Sequence, residues 1–324
     1  MFYWEKKGLV FNPAECKERP FWRWNFAQGE NAVVMDDFIR VYYCCREKPD
    51  EFGRTISRIS YVDLDKEDPA RVLFVCDRPI LELGELGTFD EFGTYPFSVV
   101  KCGEKLYGYY GGVTRCESVP FLVSIGCAVS EDGGESFQKV GKGPVLTASL
   151  HEPFMICSPK VRIYDGQWYL FYSAGKVWTK GERRPEICYK LRMAVSQDGI
   201  NWKKCGRDIL EDKLGPLESQ ACGDVTFCNG KYHMFYCYRN HTDFRKNPDN
   251  TYRIGYAWSD DLHHWKREDE KAGIDISKND GDWDRHMVAY PNVFHSCGKT
   301  YMLYLGDEVG KMGFGLAELK GELL

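Results

Sequence analysis

The sequence predicts an all-β fold, a five-bladed β-propeller with four antiparallel strands in each blade. One recurring marker is a tight polar turn followed by an aromatic strand that ends in tyrosine. These tyrosines lie 62 to 68 residues apart and are Tyr43, Tyr110, Tyr172, Tyr236 and Tyr304. The second marker is an apolar strand before each turn, with starts 63 to 67 residues apart, at positions 32, 96, 159, 224 and 291. A fixed period of this size indicates a repeat architecture.

Each repeat supplies the strands of one blade in the same order. The predicted innermost strands are 32–34, 96–100, 159–162, 224–227 and 291–294. Three of them begin with proline. Proline has no N–H to donate to the neighbouring strand, but at the first position of a strand this missing hydrogen bond is tolerated. The second strands end the segments 36–43, 103–110, 165–172, 229–236 and 297–304. The third strands are 57–62, 124–129, 191–195, 253–258 and 313–317.

The passage to the fourth strand carries a turn motif in three repeats. Its Ser and Asp residues are suited to hydrogen-bond the turn backbone, and its aromatic residue to pack on the blade. The motifs are Ser130-x-Asp132 with Phe137, Ser196-x-Asp198 with Trp202, and Ser259-x-Asp261 with Trp265. We interpret them as structural rather than catalytic.

The last repeat has no fourth strand of its own, and we expect the N-terminal segment 4–11 to supply it. This arrangement closes the ring and removes an exposed sheet edge. No linker or low-complexity tract divides the sequence. We therefore predict one domain over residues 1–324.

Composition limits the classes of function. Of the 324 residues, 43% are hydrophobic and 15% aromatic, which excludes global disorder. The net charge of −5 argues against a general nucleic-acid binder. No apolar run approaches the roughly 18 residues of a membrane span, and the N-terminus has no apolar signal core. The sequence predicts a cytoplasmic protein without a membrane or nucleic-acid partner.

The 14 cysteines form no Cys-x-x-Cys pair, and the histidines do not cluster with them. Several occupy positions where the repeat requires a small apolar side chain, such as Cys44, Cys127 and Cys237. We expect reduced core cysteines, no zinc site and no cofactor.

Topology predicts where a binding site lies. The inner strands of a propeller start at the face where the second strands end, so two sets of loops meet at one mouth of the channel. These loops are longer and more polar than the hairpins on the opposite face, as binding loops on a rigid scaffold often are. Aromatic rings there are suited to stack on sugars. The predicted substrate-binding residues are Glu30, Arg46, Tyr95, Arg115, His151, Lys176, Trp178, Arg239, His286 and Tyr290.

The basic residues of this set favour an anionic ligand such as an acidic or phosphorylated sugar, because guanidinium pairs bidentately with such groups. The alternative for each of them is an ion pair with a neighbouring carboxylate. The predicted partner is a small-molecule or oligosaccharide substrate, and the sequence leaves the oligomeric state open.

The repeat also resembles a known family. The period, the Ser-x-Asp-Gly-x-x-Trp turn and the Gly230-Lys231-Tyr232-His233-Met234-Phe235-Tyr236 strand are similar to the five-bladed glycosidases of families 32, 43, 117 and 130. Segments 87–96 and 252–257 resemble glycosidase-like proteins encoded in bacterial surface-polysaccharide clusters. The resemblance covers nearly the whole chain and implies a glycosidase, an O-glycosyl hydrolase of carbohydrate metabolism.

The chain departs from the acidic motifs of these families. Families 32 and 43 place Asp-Pro at the first inner strand, where this chain has Asn31-Ala32, and family 130 has Glu-Asp-Pro-Arg at the second, where this chain has Thr94-Tyr95-Pro96-Phe97. We expect Asp224 and Glu152 to be the acid–base pair, with Glu91 and Asp90 as alternatives. Glycoside hydrolysis needs two carboxyl groups roughly 5–9 Å apart.

The leading hypothesis is a glycoside hydrolase or a related glycan-processing enzyme. It predicts that Asp224→Asn abolishes the turnover of a suitable glycan without lowering thermal stability. A carbohydrate-binding propeller without catalysis is the alternative. A protein-interaction propeller is disfavoured because the mouth is richer in charge than in apolar anchors. A sialidase is disfavoured by five repeats instead of six and by the lack of a Phe-Arg-Ile-Pro motif.

Overall fold

A computed structural model describes residues 2–181, 184–245 and 247–323. Its strands form five four-stranded antiparallel sheets, arranged as a five-bladed β-propeller, which confirms the predicted fold. Blade 1 contains β2 (Asn25–Val34), β3 (Phe38–Arg46), β4 (Ser57–Asp65) and β5 (Val72–Val75). Blade 2 contains β6 (Thr94–Cys102), β7 (Lys105–Arg115), β8 (Phe121–Ser130) and β9 (Gln138–Lys139). Blade 3 contains β10 (Ile156–Tyr164), β11 (Gln167–Lys180), β12 (Pro185–Ser196) and β13 (Lys203–Lys204).

The last two blades close the ring. Blade 4 contains β14 (Glu218–Cys228), β15 (Lys231–Asn240), β16 (Arg253–Ser259) and β17 (Lys266–Arg267). Blade 5 contains β18 (Ala289–Ser296), β19 (Lys299–Leu305), β20 (Phe314–Lys320) and β1 (Tyr3–Phe11). Strand β1 pairs with β20, so the N-terminal strand completes the last blade as predicted. Short helical segments are Pro13–Glu15, Phe21–Arg23, Pro248–Asn250, Asp269–Lys271 and Asp307–Gly310.

Every inner strand starts earlier than the sequence predicts, by two to seven residues. The reason is an irregularity near its start, where two residues oppose one on the second strand and pairing resumes beyond them. The bypassed pairs are Gly29–Glu30, Tyr95–Pro96, Ser158–Pro159, Cys222–Gly223 and Tyr290–Pro291. Such bulges redirect side chains and are frequent beside functional sites.

The buried core contains aliphatic, cysteine and aromatic side chains, among them the repeated tyrosines. Tyr43, Tyr110, Tyr172, Tyr236 and Tyr304 are all fully buried. All 14 cysteines are free thiols, and eight of them are buried. Among the described residues, no helical segment has the length and apolar composition needed to cross a membrane.

Candidate functional site

Arg46, Arg184 and Arg245 lie near one another at the mouth of the channel. Burial lowers the pKa of Arg46, and the positive charges of Arg184 and Arg245 act in the same direction. Tyr95 and Tyr290 also lie beside this guanidinium. Burial raises the pKa of both tyrosines well above the usual value, although Tyr95 keeps part of its surface exposed. Tyr95 is therefore largely desolvated but still reaches solvent, which indicates that it lines a concave site.

The predicted arginines of the mouth are held by aromatic rings. The Arg46 guanidinium lies 4.1 Å from the ring centroid of Phe26, and that of Arg115 lies 4.5 Å from Phe92. The guanidinium of Arg239 lies 3.6 Å from the ring of Phe244.

Within the described ranges, no carboxylate forms an ion pair with Arg46, Arg115 or Arg239. Their polar contacts are instead neutral oxygens: Arg46 donates to Gln28 Oε1 at 3.2 Å and Arg115 to the Thr55 carbonyl at 3.5 Å. Among the described residues, the alternative of an ion pair with a neighbouring carboxylate therefore does not hold for these three arginines.

Arg239 is more buried than Arg46 and Arg115, with 2% of its surface exposed. It donates to the carbonyls of Asn240 and His241, at 2.7 and 2.9 Å, and to the Tyr189 hydroxyl at 3.1 Å. Its Nε atom has no hydrogen-bond partner among the described residues. The Tyr189 hydroxyl contacts that of Tyr252.

A tyrosine layer continues from Arg239 toward Arg46. The ring of Tyr252 lies 5.8 Å from that of Tyr290, edge to face. Tyr290 in turn lies beside Tyr95 and Arg46. The layer therefore joins the two arginines across the site.

Glu186 is the carboxylate that faces the remaining arginines. It lies 2.5 Å from Arg245 and 3.6 Å from Arg184. Glu186 thus pairs with two guanidinium groups, whereas Arg46 and Arg239 form no ion pair with a carboxylate in the part of the chain that the structure describes. The sequence analysis missed Glu186, which lies at the start of β12, and Arg184 and Arg245, which lie in loops, because none of the three belongs to a repeated marker.

Glu30 is a carboxyl group without a partner. It is fully buried, and neither carboxyl oxygen has a hydrogen-bond partner among the described residues. Burial raises its pKa well above the usual value, and the nearby Lys160 offsets this effect only in part. Lys160 itself donates to the backbone carbonyl of Glu30 at 3.0 Å. The environment therefore favours the protonated, uncharged acid.

Asp224, the first candidate for catalysis, lies in a ring of contacts between inner strands. It is fully buried, pairs with Arg162 of blade 3, and accepts hydrogen bonds from Asn292 at 3.2 Å and the Val293 N–H at 2.6 Å. The ring continues through Asn292 Oδ1, which accepts from the Ala32 N–H at 2.7 Å.

Two of the remaining catalytic candidates, Asp90 and Glu152, belong to a motif that recurs in the blades. In it, the marker tyrosine donates to an acid that precedes the inner strand, and a lysine of the fourth strand pairs with the same acid. The instances are Tyr110–Asp90–Lys139, Tyr172–Glu152–Lys204 and Tyr304–Asp284–Lys6. Arg192 adds a second ion pair to Glu152 at 2.9 Å. Glu91 is half-buried and accepts from the Gly87 N–H at 2.8 Å.

The other predicted binding residues have more ordinary surroundings. Lys176 is exposed and pairs with Asp208 at 3.1 Å, so the ion-pair alternative applies to it. His286 pairs with Asp307 at 2.7 Å, and His151 is exposed. Trp178 is half-buried beside Phe121, with ring centroids 6.3 Å apart, and its indole nitrogen has no partner among the described residues. Its aromatic surface is suited to a sugar ring.

No protein-family model matches the chain. Two full-length relatives are the uncharacterized proteins Rv1502 and MT1551 of Mycobacterium tuberculosis. Each is 32% identical over 318 residues, which cover 98% of this chain and 99% of the relative. The chain belongs to their family. A partial relative is the beta-1,2-mannobiose phosphorylase of a Thermoanaerobacter strain, 34% identical over 112 residues, or 32% of this chain and 35% of that protein.

Solved structures of glycoside hydrolases and phosphorylases share the fold. One from the GH130 family of mannoside phosphorylases, described as containing glycoside hydrolases, has a TM-score of 0.71 at 17% identity, covering 97% of this chain and 93% of that one. The beta-1,2-mannobiose phosphorylase of Listeria innocua has a TM-score of 0.68 at 13% identity, covering 99% and 96%. The resemblance to five-bladed glycosidases is thus confirmed for the fold.

Proposed function

We propose that this protein is a glycan-processing enzyme whose substrate carries a negative charge and binds at the channel mouth. The observation that carries the proposal is the set of three arginines, Arg46, Arg115 and Arg239, which stack on phenylalanine rings and pair with no carboxylate among the described residues. A buried charge without a counter-charge is costly. A carboxylate or phosphoryl group of a ligand is the bidentate partner that guanidinium groups favour.

The sugar part of the proposal rests on aromatic surface and on the relatives. Trp178, Phe121 and Tyr95 are half-buried at this end of the propeller and offer apolar faces for a pyranose ring. The proteins that share the fold include glycoside hydrolases and mannobiose phosphorylases. The similarity to the Thermoanaerobacter beta-1,2-mannobiose phosphorylase also supports a carbohydrate substrate.

For the reaction, we favour hydrolysis of a glycosidic bond, in which Glu30 donates its proton to the oxygen of the departing sugar and a water molecule adds to the anomeric carbon and releases a proton to solvent. Such an acid must be protonated at the working pH, and a carboxyl group in a buried site achieves this. Its oxygens are closed to solvent, so the proposal includes an opening of the mouth around Glu30 when substrate binds. The roles of Asp224, Glu152, Asp90 and Glu91 in catalysis stay predictions. The first three have cationic partners, which makes them weaker candidates for proton transfer.

A binding protein without catalysis is the second candidate. The ion pairs of Asp224, Glu152 and Asp90 favour it, because they occupy carboxylates that hydrolysis would otherwise use. In this case the mouth would hold an anionic glycan without cleaving it.

Matched pairs of acidic and neutral oligosaccharides test the proposal, with released reducing ends measured by chromatography and mass spectrometry. We expect turnover of an acidic glycan, loss of at least tenfold in Arg46→Gln, and loss of turnover with retained binding in Glu30→Gln. Arg71→Gln, on the outer side of blade 1, is the control variant. Equal processing of neutral and acidic glycans, unaffected by Arg46→Gln, would refute the anionic substrate. Binding without any released sugar would favour the second candidate.

A further inference from the structure

The turn between β19 and β20 holds an unusual backbone conformation at the mouth. Glu308, Val309 and Gly310 have φ angles of 56°, 55° and 77°, so three consecutive residues are left-handed. Glycine adopts this region freely, but a β-branched residue such as Val309 is a genuine outlier there. Strain of this kind persists where surrounding contacts determine the conformation, and it clusters at functional sites.

Blade 5 holds one end of the turn. The Asp307 carboxylate accepts hydrogen bonds from the backbone N–H groups of His286 and Met287, at 2.8 and 2.9 Å. Its second oxygen lies 2.7 Å from His286 Nδ1. The turn is thereby attached to the segment that enters β18.

Blade 1 holds the other end. The Gln28 side chain donates from Nε2 to the Val309 carbonyl. A Cβ atom at Gly310 would lie 2.9 Å from the Ala27 carbonyl oxygen and 3.0 Å from Gln28 Cγ, so the backbones approach closely here. The turn therefore bridges blades 5 and 1.

The same Gln28 side chain also contacts an arginine of the mouth. Gln28 is 1% exposed, and its Oε1 accepts a hydrogen bond from Arg46 at 3.2 Å. A carbonyl only accepts and a guanidinium only donates, so these two partners determine the orientation of the Gln28 amide. One buried amide thus joins the strained turn to Arg46.

We propose that Gln28 is a positioning residue, which aims the Arg46 guanidinium into the mouth and is itself held by the Val309 carbonyl. This inference rests on the proposed function, in which Arg46 binds the anionic group. Arg184 and Arg245 repel Arg46, and no carboxylate in the described part of the chain restrains it. A guanidinium held in place before binding loses less side-chain freedom when the anion arrives, which raises affinity.

A double-mutant cycle with sulfate as the probe tests the inference. Sulfate affinity is measured by calorimetry for the wild type, Gln28→Met, Arg46→Gln and the double variant, with thermal unfolding as the check of folding. Methionine has a similar length but makes neither hydrogen bond. Gln28→Asn, one methylene shorter, is the second variant if methionine disturbs folding.

We expect Gln28→Met to weaken sulfate binding about tenfold and Arg46→Gln to weaken it further. The double variant should match Arg46→Gln, because a residue that acts through Arg46 has no effect without it. Wild-type affinity in Gln28→Met, or additive losses in the double variant, would overturn the inference and leave the proposed function intact. If the wild type binds no sulfate, or Arg46→Gln binds it equally well, the anion site of the proposed function fails and this inference with it.

Discussion

The Asp224 carboxylate of blade 4 accepts a hydrogen bond from the Val293 N–H of blade 5, at 2.6 Å. The same kind of bond joins Ser98 Oγ of blade 2 to the Val161 N–H of blade 3, at 3.1 Å. A backbone N–H that faces the channel must find a partner, and the side chain of the neighbouring blade supplies it. Asp224 therefore has a structural part in holding adjacent blades together.

We predict that Asp224→Asn lowers the free energy of unfolding by about 2–4 kcal/mol, because it leaves Arg162 without its ion-pair partner in a largely buried site. This differs from the expectation that the sequence alone supports, in which stability is unchanged. Urea denaturation measures the effect, and Asp37→Asn on an exposed turn is the control. Wild-type stability in Asp224→Asn would contradict the structural role.

Glu30→Gln should stabilise the protein at alkaline pH. The folded-state pKa of Glu30 is raised above its usual value of 4.5, so its contribution to stability is complete below about pH 4.5 and is lost as the pH rises toward the folded-state pKa. Glutamine cannot ionise and avoids that loss. We expect Glu30→Gln to be more stable than the wild type at pH 8 and to differ little from it at pH 4.

Stability curves of the wild type and Glu30→Gln between pH 4 and 9 measure this effect. If the two curves stay parallel over the whole range, the Glu30 carboxyl is not protonated in the folded state at neutral pH. Its proposed role as a proton donor would then fail.

Glu152→Gln should change the acid limb of the stability curve. Burial raises the pKa of Glu152, but hydrogen bonds from Lys204, Arg192 and Tyr172 outweigh this effect and hold the pKa below its usual value of 4.5. Its contribution is therefore present above about pH 4.5 and is lost as the pH falls through the folded-state pKa. The variant should be about 3 kcal/mol less stable at pH 7 and show a shallower acid limb.

Thermal unfolding from pH 7 down to pH 3 checks the prediction for Glu152. Glu104→Gln, in an exposed hairpin turn, is the matched control and should follow the wild type. A Glu152→Gln variant that is as stable as the wild type at pH 7 would show that the ion pairs with Arg192 and Lys204 contribute little.

Arg239→Met should separate stability from binding. Arg239 is a buried charge that pairs with no carboxylate among the described residues, which is costly, so methionine removes that cost and offsets the loss of the hydrogen bonds to Asn240, His241 and Tyr189. We expect an unfolding free energy within about 1 kcal/mol of the wild type or above it, together with at least tenfold weaker binding of an acidic glycan. Calorimetric titration and urea denaturation measure the two quantities. Unchanged affinity would remove Arg239 from the proposed site.

Much of the fold could be predicted from the sequence because the features that indicate it are short, local patterns in the chain. The tyrosine marker and the polar turn before it recur in every blade, and the N-terminal strand was predicted at 4–11 and lies at Tyr3–Phe11. The starts of the inner strands were predicted too late, since a bulge hides the continued pairing before it. The single domain and the cytoplasmic location stay predictions.

Four of the predicted binding residues lie close to one another, while the site itself stays a prediction. Sequence reasoning selected Arg46, Tyr95, Arg239 and Tyr290, and the structure brings them to one mouth because topology alone gathers those strand ends. It also selected Asp224 and Glu152, which have ionic partners, and gave Glu30 a lesser role.

The sequence by itself determined the number of blades and the closure of the ring, because the period, the turns and the strand order are local properties of the chain. The face that carries the site stays a prediction. Only the tertiary structure decided which charges are paired. Asp224 meets Arg162 62 positions earlier and Val293 69 positions later, and Glu152 meets Arg192 40 positions later. Such partners come together across blades and strands, so their pairing depends on three-dimensional packing. For the same reason the sequence could not show that, within the described residues, the Glu30 carboxyl has no hydrogen-bond partner and Arg46, Arg115 and Arg239 pair with no carboxylate.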